Sequence, residues 1–225
     1  MSHSVHPYSF RLGYLRDWKS RWFNLKKYSQ FLKSDVLLFE WMEKKLRGMY
    51  VDDINIERTP GVLHLIIKTS RPGLIIGRRG EGAEKLKKDA RSFLAKNKIE
   101  IPAELKLTIE EVRSPETHAK IVSQIIAESL EKRLPFRRVM KQAIEKVMAN
   151  KEAKGVKVAL SGRLGGAEMS RREWLKNGQI PLQNLRADID FARERAHLPY
   201  GDIGIKVWIY KGEIFNEKSK IKSQE

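Results

Sequence analysis

Two glycines bracket a pair of arginines at Gly77-Arg78-Arg79-Gly80, and this loop restricts the fold of the chain more than any other feature. An apolar run at 74–76 leads into the loop, and apolar residues recur at helical spacing after it. Because glycine has no Cβ, the backbone can turn tightly there and approach a ligand closely. Arginine side chains and the amides of a helix start offer charge and donors to phosphate. The loop therefore predicts a phosphate-binding turn ahead of a helix.

The charge of the chain indicates a polyanionic partner. Its 225 residues include 45 Lys and Arg against 28 Asp and Glu, a net charge of +17. Such an excess favours nucleic acid, because binding releases condensed counterions; a membrane surface is the alternative polyanion. With 41% hydrophobic residues the chain is expected to fold. No apolar run is long enough to span a bilayer, no signal peptide is recognisable, and the partners expected do not include a membrane.

Basic residues concentrate in three separate regions that also contain apolar residues. Residues 1–33 hold seven Lys and Arg against one acid, and 68–98 and 131–163 each hold ten against three. This mixture is typical of folded basic surfaces, whereas a purely electrostatic tail would lack the apolar residues. Cysteine is absent, which excludes disulfides and thiolate metal sites and fits a cytoplasmic protein.

The order of predicted elements gives the loop its context. Helical periodicity predicts a helix over 35–50, with Ser34 or Asp35 as the N-cap. Two strands follow, around 54–56 and 62–67, then a short helix, the glycine loop, a helix to about Lys96 and a strand over 105–109. This order resembles the type II KH fold, in which a G-x-x-G loop clamps single-stranded RNA.

The second half predicts an α+β domain. Ser114-Pro115 resembles a helix start with serine as the N-cap, and a second helix is predicted from Phe136. Alternating apolar residues at 156–160 and 205–209, separated by many glycines, predict antiparallel strands. The fold class expected is α+β throughout, a type II KH domain followed by this second domain.

Several separated motifs resemble the family of bacterial small ribosomal subunit protein three, in order and over roughly residues 5–214. The motifs are Val5-His6-Pro7, Arg11-Leu12-Gly13, Ile56-Glu57-Arg58, Arg71-Pro72-Gly73, the glycine loop, Phe136-Arg137-Arg138, Ser161-Gly162-Arg163-Leu164-Gly165-Gly166, Leu185-Arg186-Ala187-Asp188 and Ile205-Lys206-Val207-Trp208-Ile209. On this basis we expect a basic arm with a short helix at 1–36, the KH domain at 37–113, the α+β domain at 114–215 and a flexible tail at 216–225.

The resemblance also implies a place in the cell. Members of the family sit in the head of the small subunit, bind the ribosomal RNA there and are cytoplasmic. They form part of the messenger entrance with ribosomal proteins four and five, and they contact proteins ten and fourteen. Unwinding of messenger is attributed to basic residues that match Arg137, Arg138 and Lys141 here.

Helical geometry supports the same three residues independently. At 100° per residue, Arg137, Arg138 and Lys141 fall opposite an apolar face that begins at Phe136, so they form a cationic ridge. Such a ridge holds phosphates without reading bases. Arg78 and Arg79 are the predicted clamp, for ribosomal or messenger RNA. Further candidates for ribosomal RNA contacts are Arg11, Lys26, Lys27, Arg163, Arg171 and Arg172.

No catalytic residues, metal ligands or cofactors are predicted. Asp188 and Asp190 lie two apart on a strand, and Glu194 could join them, but a polar strand face is the favoured interpretation. The chain has no Walker loop and no Ser/His/Asp signature. Two alternatives remain open: a free-standing KH-type regulator or assembly factor, and a metal-dependent nuclease built on the two aspartates.

Overall fold

The computed structural model describes residues 5–97, 99 and 103–215, so the tail predicted at 216–225 lies outside the described residues. The helices in chain order are α1 (Pro7–Phe10), α2 (Tyr28–Lys45), α3 (Pro72–Ile76), α4 (Glu81–Lys96), α5 (Ala119–Glu131) and α6 (Phe136–Ala149). The strands are β1 (Ser20–Arg21), β2 (Val51–Thr59), β3 (Val62–Thr69), β4 (Glu104–Glu111), β5 (Gly155–Gly162), β6 (Arg171–Gly178), β7 (Ala187–Leu198) and β8 (Gly201–Glu213). Among the described residues, no helix is both long and apolar enough to cross a membrane.

The chain divides into two compact units. The central unit comprises Trp18–Arg113. The terminal unit comprises the described parts of Met1–Asp17 and Ser114–Glu225, so it draws on both ends of the chain. The domain limits given above from the sequence remain predictions.

The central unit is a four-stranded sheet with its helices on one side. The strand order is β1-β2-β3-β4, with β2 and β3 antiparallel and the outer pairs parallel. Alternate residues of the strands, such as Ile54, Ile56 and Leu65, are buried against Leu38 of α2 and Leu86 of α4. This burial follows the period of two in the strands and the apolar stripe of each helix. The predicted order of helix, two strands, short helix, loop, helix and strand is confirmed.

The start predicted for α2 is wrong. The helix begins at Tyr28, and Ser34 and Asp35 lie in its interior with 1% and 3% of their surfaces exposed. The Ser34 hydroxyl donates to the carbonyl of Phe31 at 2.9 Å, a bond that a serine inside a helix can make. Arg58 of β2 donates through Nε to Asp35 Oδ1 at 2.8 Å. A polar pair that matches an N-cap signal is thus stabilised inside the helix by tertiary contacts.

The terminal unit is an antiparallel sheet covered on one face by two helices. Its strand order is β6-β5-β8-β7. The face toward α5 and α6 carries Val158, Leu160, Ile205 and Val207, all with 1% or less exposed. The predicted α+β fold, two helices followed by antiparallel strands, is confirmed.

The start of α5 also differs from the prediction. Ser114 precedes a short 3₁₀ turn at Pro115–Thr117 and makes no side-chain capping bond, and α5 begins later, at Ala119. The Ala119 amide instead donates to Asp190 Oδ2 at 2.8 Å. An acceptor from β7 therefore satisfies an amide of the first helical turn that a local cap would otherwise bond.

Candidate nucleic-acid interface

The glycine loop connects α3 to α4 through three residues with positive φ. Gly77 has φ 69° and ψ −175°, and Gly80 has φ 81°. Between them Arg79 adopts φ 52° and ψ 22°, a left-handed conformation that is uncommon for a residue with a side chain. The two glycines occupy this region without a steric cost. The loop therefore holds its two arginines in a tight turn immediately before α4.

A third glycine, Gly82, makes the turn possible, and its role was not predicted from the sequence. A Cβ on Gly82 would lie 2.5 Å from the carbonyl oxygen of Ile75 and 2.9 Å from that of Ile76. A Cβ on Gly77 would in turn lie 3.1 Å from the Gly82 amide nitrogen. The first turn of α4 thus packs directly on the end of α3. The sequence contains a signal for this close packing, because Gly82 falls inside a predicted helix and glycine normally destabilises helices.

The charge at the loop comes from its side chains. Arg78 and Arg79 are exposed, and Gly80 provides no side-chain cap to α4. Glu81 and Glu84 lie in the first turn of α4, where they offset the partial positive charge of the helix start. The arginines must therefore supply the attraction for a phosphate. Leu74 of α3, which precedes the loop in the chain, is 53% exposed and adds apolar surface to this helix.

The structure places the predicted ridge on one face of α6. Arg137, Arg138 and Lys141 are exposed. The opposite side of the helix is anchored in the core by residues including Met140 and Val147, each 1% exposed. The ridge is therefore fixed to a rigid element.

One acidic residue positions part of the ridge. Glu173 of β6 accepts from Arg171 Nε at 3.0 Å and lies 3.5 Å from Arg137 Nε. Both guanidinium groups also lie over the ring of Phe136, at 5.6 and 5.7 Å from its centroid. Arg171 consequently extends the ridge from α6 onto the neighbouring strand, and the cluster keeps a positive surplus.

Arg171 and Arg172, predicted together as RNA contacts, point to opposite faces of the sheet. Successive residues of a strand alternate in direction. Arg172 pairs across the ladder with Ser161, which is exposed, whereas Glu173 pairs with the buried Leu160. The two arginines therefore do not belong to one surface.

Arg11, another predicted RNA contact, has a different role. It is 1% exposed, and its guanidinium donates to four backbone carbonyls. The acceptors are Ala187 at 2.6 Å, Asn184 at 2.8 Å, Pro7 at 3.0 Å and Leu182 at 3.1 Å. Burial lowers the pKa of Arg11, against the opposing effect of Asp188. The prediction is corrected: Arg11 holds the N-terminal segment against residues 182–187 of the same unit and has almost no surface to offer to RNA.

The remaining candidates divide in the same way. Arg163 donates to the carbonyl of Ala167 at 2.8 Å and to that of Tyr200 at 3.3 Å, so it braces two turns of the terminal unit. Lys26 and Lys27 are exposed in the turn before α2, where the Lys27 amide donates to the Asn24 side chain at 3.1 Å. The two lysines thus remain accessible to a ligand.

The acidic residues considered for a metal site each have a partner within the terminal unit. Asp188 accepts from Arg16 at 2.9 Å, and Asp190 accepts from the Ala119 amide. Glu194 lies 3.5 Å from Lys120 Nζ. These contacts give each of the three acidic residues a partner in the fold of the terminal unit.

Comparisons with known proteins agree with this architecture. Residues 38–117 match the model of the KH domain, and residues 126–209 match that of the ribosomal protein S3 C-terminal domain. The small ribosomal subunit protein uS3 of Maridesulfovibrio salexigens is 48% identical over 219 residues, 97% of this chain and 99% of that protein. The uS3 protein of Endomicrobium trichonymphae is 46% identical over 220 residues, 98% of this chain and 92% of the relative.

A type II KH unit with an exposed arginine loop, joined to a ribosomal α+β unit with a cationic helix, defines an RNA-binding protein of translation. The relatives cover nearly the whole chain at well above 30% identity. The chain belongs to the small ribosomal subunit protein uS3 family, and the resemblance seen in its sequence is confirmed.

Proposed function

We propose that this chain is a structural component of the head of the small ribosomal subunit, where it binds ribosomal RNA and lines the entrance for messenger RNA. The observation that carries the proposal is the exposed ridge of Arg137, Arg138 and Lys141 on a helix whose other face is buried. A cationic ridge on a rigid helix can hold phosphates while the strand moves, because it makes no base-specific contact. It would take part in unwinding by gripping the incoming strand, with the energy supplied by the translating ribosome.

The partners proposed are those of the family. They are small-subunit ribosomal RNA, messenger RNA, proteins four and five at the entrance and proteins ten and fourteen in the head. The match of residues 126–209 to a ribosomal domain favours this assignment over a free-standing KH regulator. Retention on small subunits after a high-salt wash supports the assignment, and complete release into the free protein pool favours the regulator. We propose no enzymatic activity, cofactor or metal.

The ridge gives the first testable prediction. Changing Arg137 and Arg138 together to alanine removes two exposed cations, so the free energy of unfolding should change by less than about 1 kcal/mol. Ribosomes that carry the double variant should pass through a stable messenger hairpin several-fold more slowly, while an unstructured messenger is translated at the normal rate. Single-ribosome translocation measurements on paired templates provide the test.

A matched control lies on the same helix. Lys146 is exposed and lies about 180° around the helix axis from Arg137; from Arg138 it lies about 80° around the axis and about 12 Å along it. Lys146→Ala should leave passage through the hairpin unchanged. Equal slowing by Lys146→Ala, or normal passage by the double variant, contradicts a role for the ridge in unwinding.

The glycine loop gives a second prediction. The double variant Arg78→Ala with Arg79→Ala should bind single-stranded RNA more weakly, and the slope of log affinity against log salt should fall in magnitude by about 1.4, because two phosphate contacts are lost. Fluorescence anisotropy over a salt series with the purified protein measures both quantities.

The control for the loop uses the far end of the same helix. Lys96 lies about 24 Å along α4 from Gly80, and Lys96→Ala changes the net charge without touching the loop. Its salt slope should stay close to that of the parent protein. An unchanged slope in the loop variant would rule out phosphate contacts by Arg78 and Arg79.

A further inference from the structure

The sheet of the terminal unit has a second face, directed away from α5 and α6, which we call the open face. Residues opposite one another in the ladder share a face, and the pairings of Lys157 with Lys176 and Trp208 place all three there. The next row contains Trp174 and Lys206 in the same way. Neither the glycine loop nor the ridge on α6 includes any residue of this face.

Over its four central ladder rows, the open face carries charge of one sign. Six basic residues lie on it, namely Lys157, Arg172, Lys176, Arg193, Arg195 and Lys206. Between the ladder rows of Gly155 and Ser161, all within described residues, no Asp or Glu points to this side. Within these rows the acidic residues Glu173, Asp190 and Glu194 face the helices instead, and Asp202 and Glu213 of β8 lie beyond the rows. Over these rows the two faces are thus segregated by charge.

Like charges stand directly opposite one another on the open face. Lys157 pairs with Lys176, and Lys206 pairs with Arg193, across adjacent strands. Such pairs destabilise an antiparallel sheet. Burial lowers the pKa of Lys157, and the charges of Arg172 and Lys176 lower it further. The fold of the protein does not require these like-charge pairs. A bound anion would reduce the repulsion between them.

Aromatic rings are interleaved with these cations. Trp174 on the edge strand β6 is 51% exposed, and Lys157 Nζ lies 5.0 Å from its ring centroid. The same Nζ lies 5.3 Å from the ring of Trp208, which is largely buried. Farther across, Phe191 is contacted edge-on by His6 at 4.8 Å. The accessible aromatic surface is therefore Trp174, on the side of the sheet formed by β5 and β6.

We propose that the open face binds single-stranded RNA, with a base stacked on Trp174 and the flanking phosphates held by Lys157, Arg172 and Lys176. Exposed aromatic rings on an antiparallel sheet bind unpaired bases, and surrounding cations follow the backbone. The positive charge of the four central rows favours a polyanion, and the exposed indole favours one that carries planar bases over an acidic polypeptide. The site shares no residue with the glycine loop or with the ridge on α6.

The test uses the full chain in which Arg78 and Arg79 are already alanine, so that the glycine loop contributes little. Its binding to a labelled ten-nucleotide single-stranded RNA of mixed sequence is measured by anisotropy. Trp174→Ala should weaken binding about tenfold or more, as expected for loss of one stacked base. Trp174→Phe should retain most of the affinity, because a planar ring remains. Since Trp174 is half exposed on an edge strand, unfolding curves of the variants should match the parent.

Two further measurements separate the occupants. A duplex RNA of the same length, whose bases are already stacked, should lose little affinity on Trp174→Ala, and a poly-glutamate peptide should compete poorly with the single strand. Equal binding of the single strand by parent and Trp174→Ala overturns the proposal. Displacement of the single strand by poly-glutamate at equal charge concentration also overturns it, since the face would then be a site for an acidic protein. Because the test needs no ribosome, its failure would leave the proposed place in the subunit untouched.

Discussion

Replacing Asp35 with alanine is expected to lower the free energy of unfolding of the central unit by about 3–5 kcal/mol. Asp35 is 3% exposed and the Arg58 side chain 10%, so their ion pair is shielded from water. Trp22 Nε1 also donates to Asp35 Oδ2 at 2.7 Å. The variant leaves the guanidinium of Arg58 buried over the ring of Phe31 without its counter-charge. Hydrogen exchange of β2 peptides, followed by mass spectrometry in a denaturant series, reports the loss.

Two further variants test whether the loss of stability comes from the buried ion pair. Asp89→Ala breaks an exposed ion pair with Lys45 in the same unit and should change stability little, because water screens such pairs. The double variant Asp35→Leu with Arg58→Met replaces both buried charges by apolar groups and should recover much of the loss. A loss below about 1 kcal/mol for Asp35→Ala, or a double variant less stable than Asp35→Ala, would contradict a buried pair of this kind.

Periodicity predicted most of the fold because burial in this protein follows it closely. Ile54 and Ile56 alternate with polar residues and are buried, and the apolar stripe that contains Met140 and Val147 is the buried face of α6. These signals are local, since each strand or helix buries one side and solvates the other. The glycine loop was predictable for the same reason, because the glycines that permit positive φ belong to the loop itself.

The errors arose where a distant residue decides the local structure. Ser34-Asp35 satisfies the pattern of an N-cap, yet Arg58, 23 residues away, stabilises Asp35 inside the helix. Ser114 also matches the pattern, but Asp190, 71 residues from Ala119, takes the role of acceptor. Capping preferences describe isolated helix ends, and tertiary hydrogen bonds override them.

The same limit applies to predicting which basic residues belong to the RNA-binding site. The parity of a strand places Arg171 and Arg172 on opposite faces, but it does not say which face the helices cover. Charge alone likewise does not distinguish an exposed arginine that can bind RNA from one whose guanidinium is fully hydrogen-bonded inside the protein. Arg11 contacts carbonyls 171 to 176 residues away, which nothing near it in the sequence indicates.

Substitution of Arg11 is therefore expected to have the other large effect on stability. Arg11→Met keeps much of the side-chain volume but removes the donors of four carbonyls, which belong to Pro7, Leu182, Asn184 and Ala187. Because buried carbonyls without partners are costly, we expect a loss of about 3 kcal/mol or more in the terminal unit. The N-terminal segment should lose its hydrogen-exchange protection first. Arg138→Met, which changes an exposed arginine of the same unit, should have little effect on either quantity.

Arg11→Lys distinguishes geometry from charge. Lysine keeps the positive charge, but its single ammonium cannot reach acceptors that the planar guanidinium bonds from three nitrogens. We therefore expect Arg11→Lys to be destabilised nearly as much as Arg11→Met, with the same loss of protection over residues 5–17. Stability restored by lysine would mean that charge next to Asp188 is what matters. Weaker RNA binding by both variants with unchanged protection would instead return Arg11 to the RNA contacts that its charge first indicated.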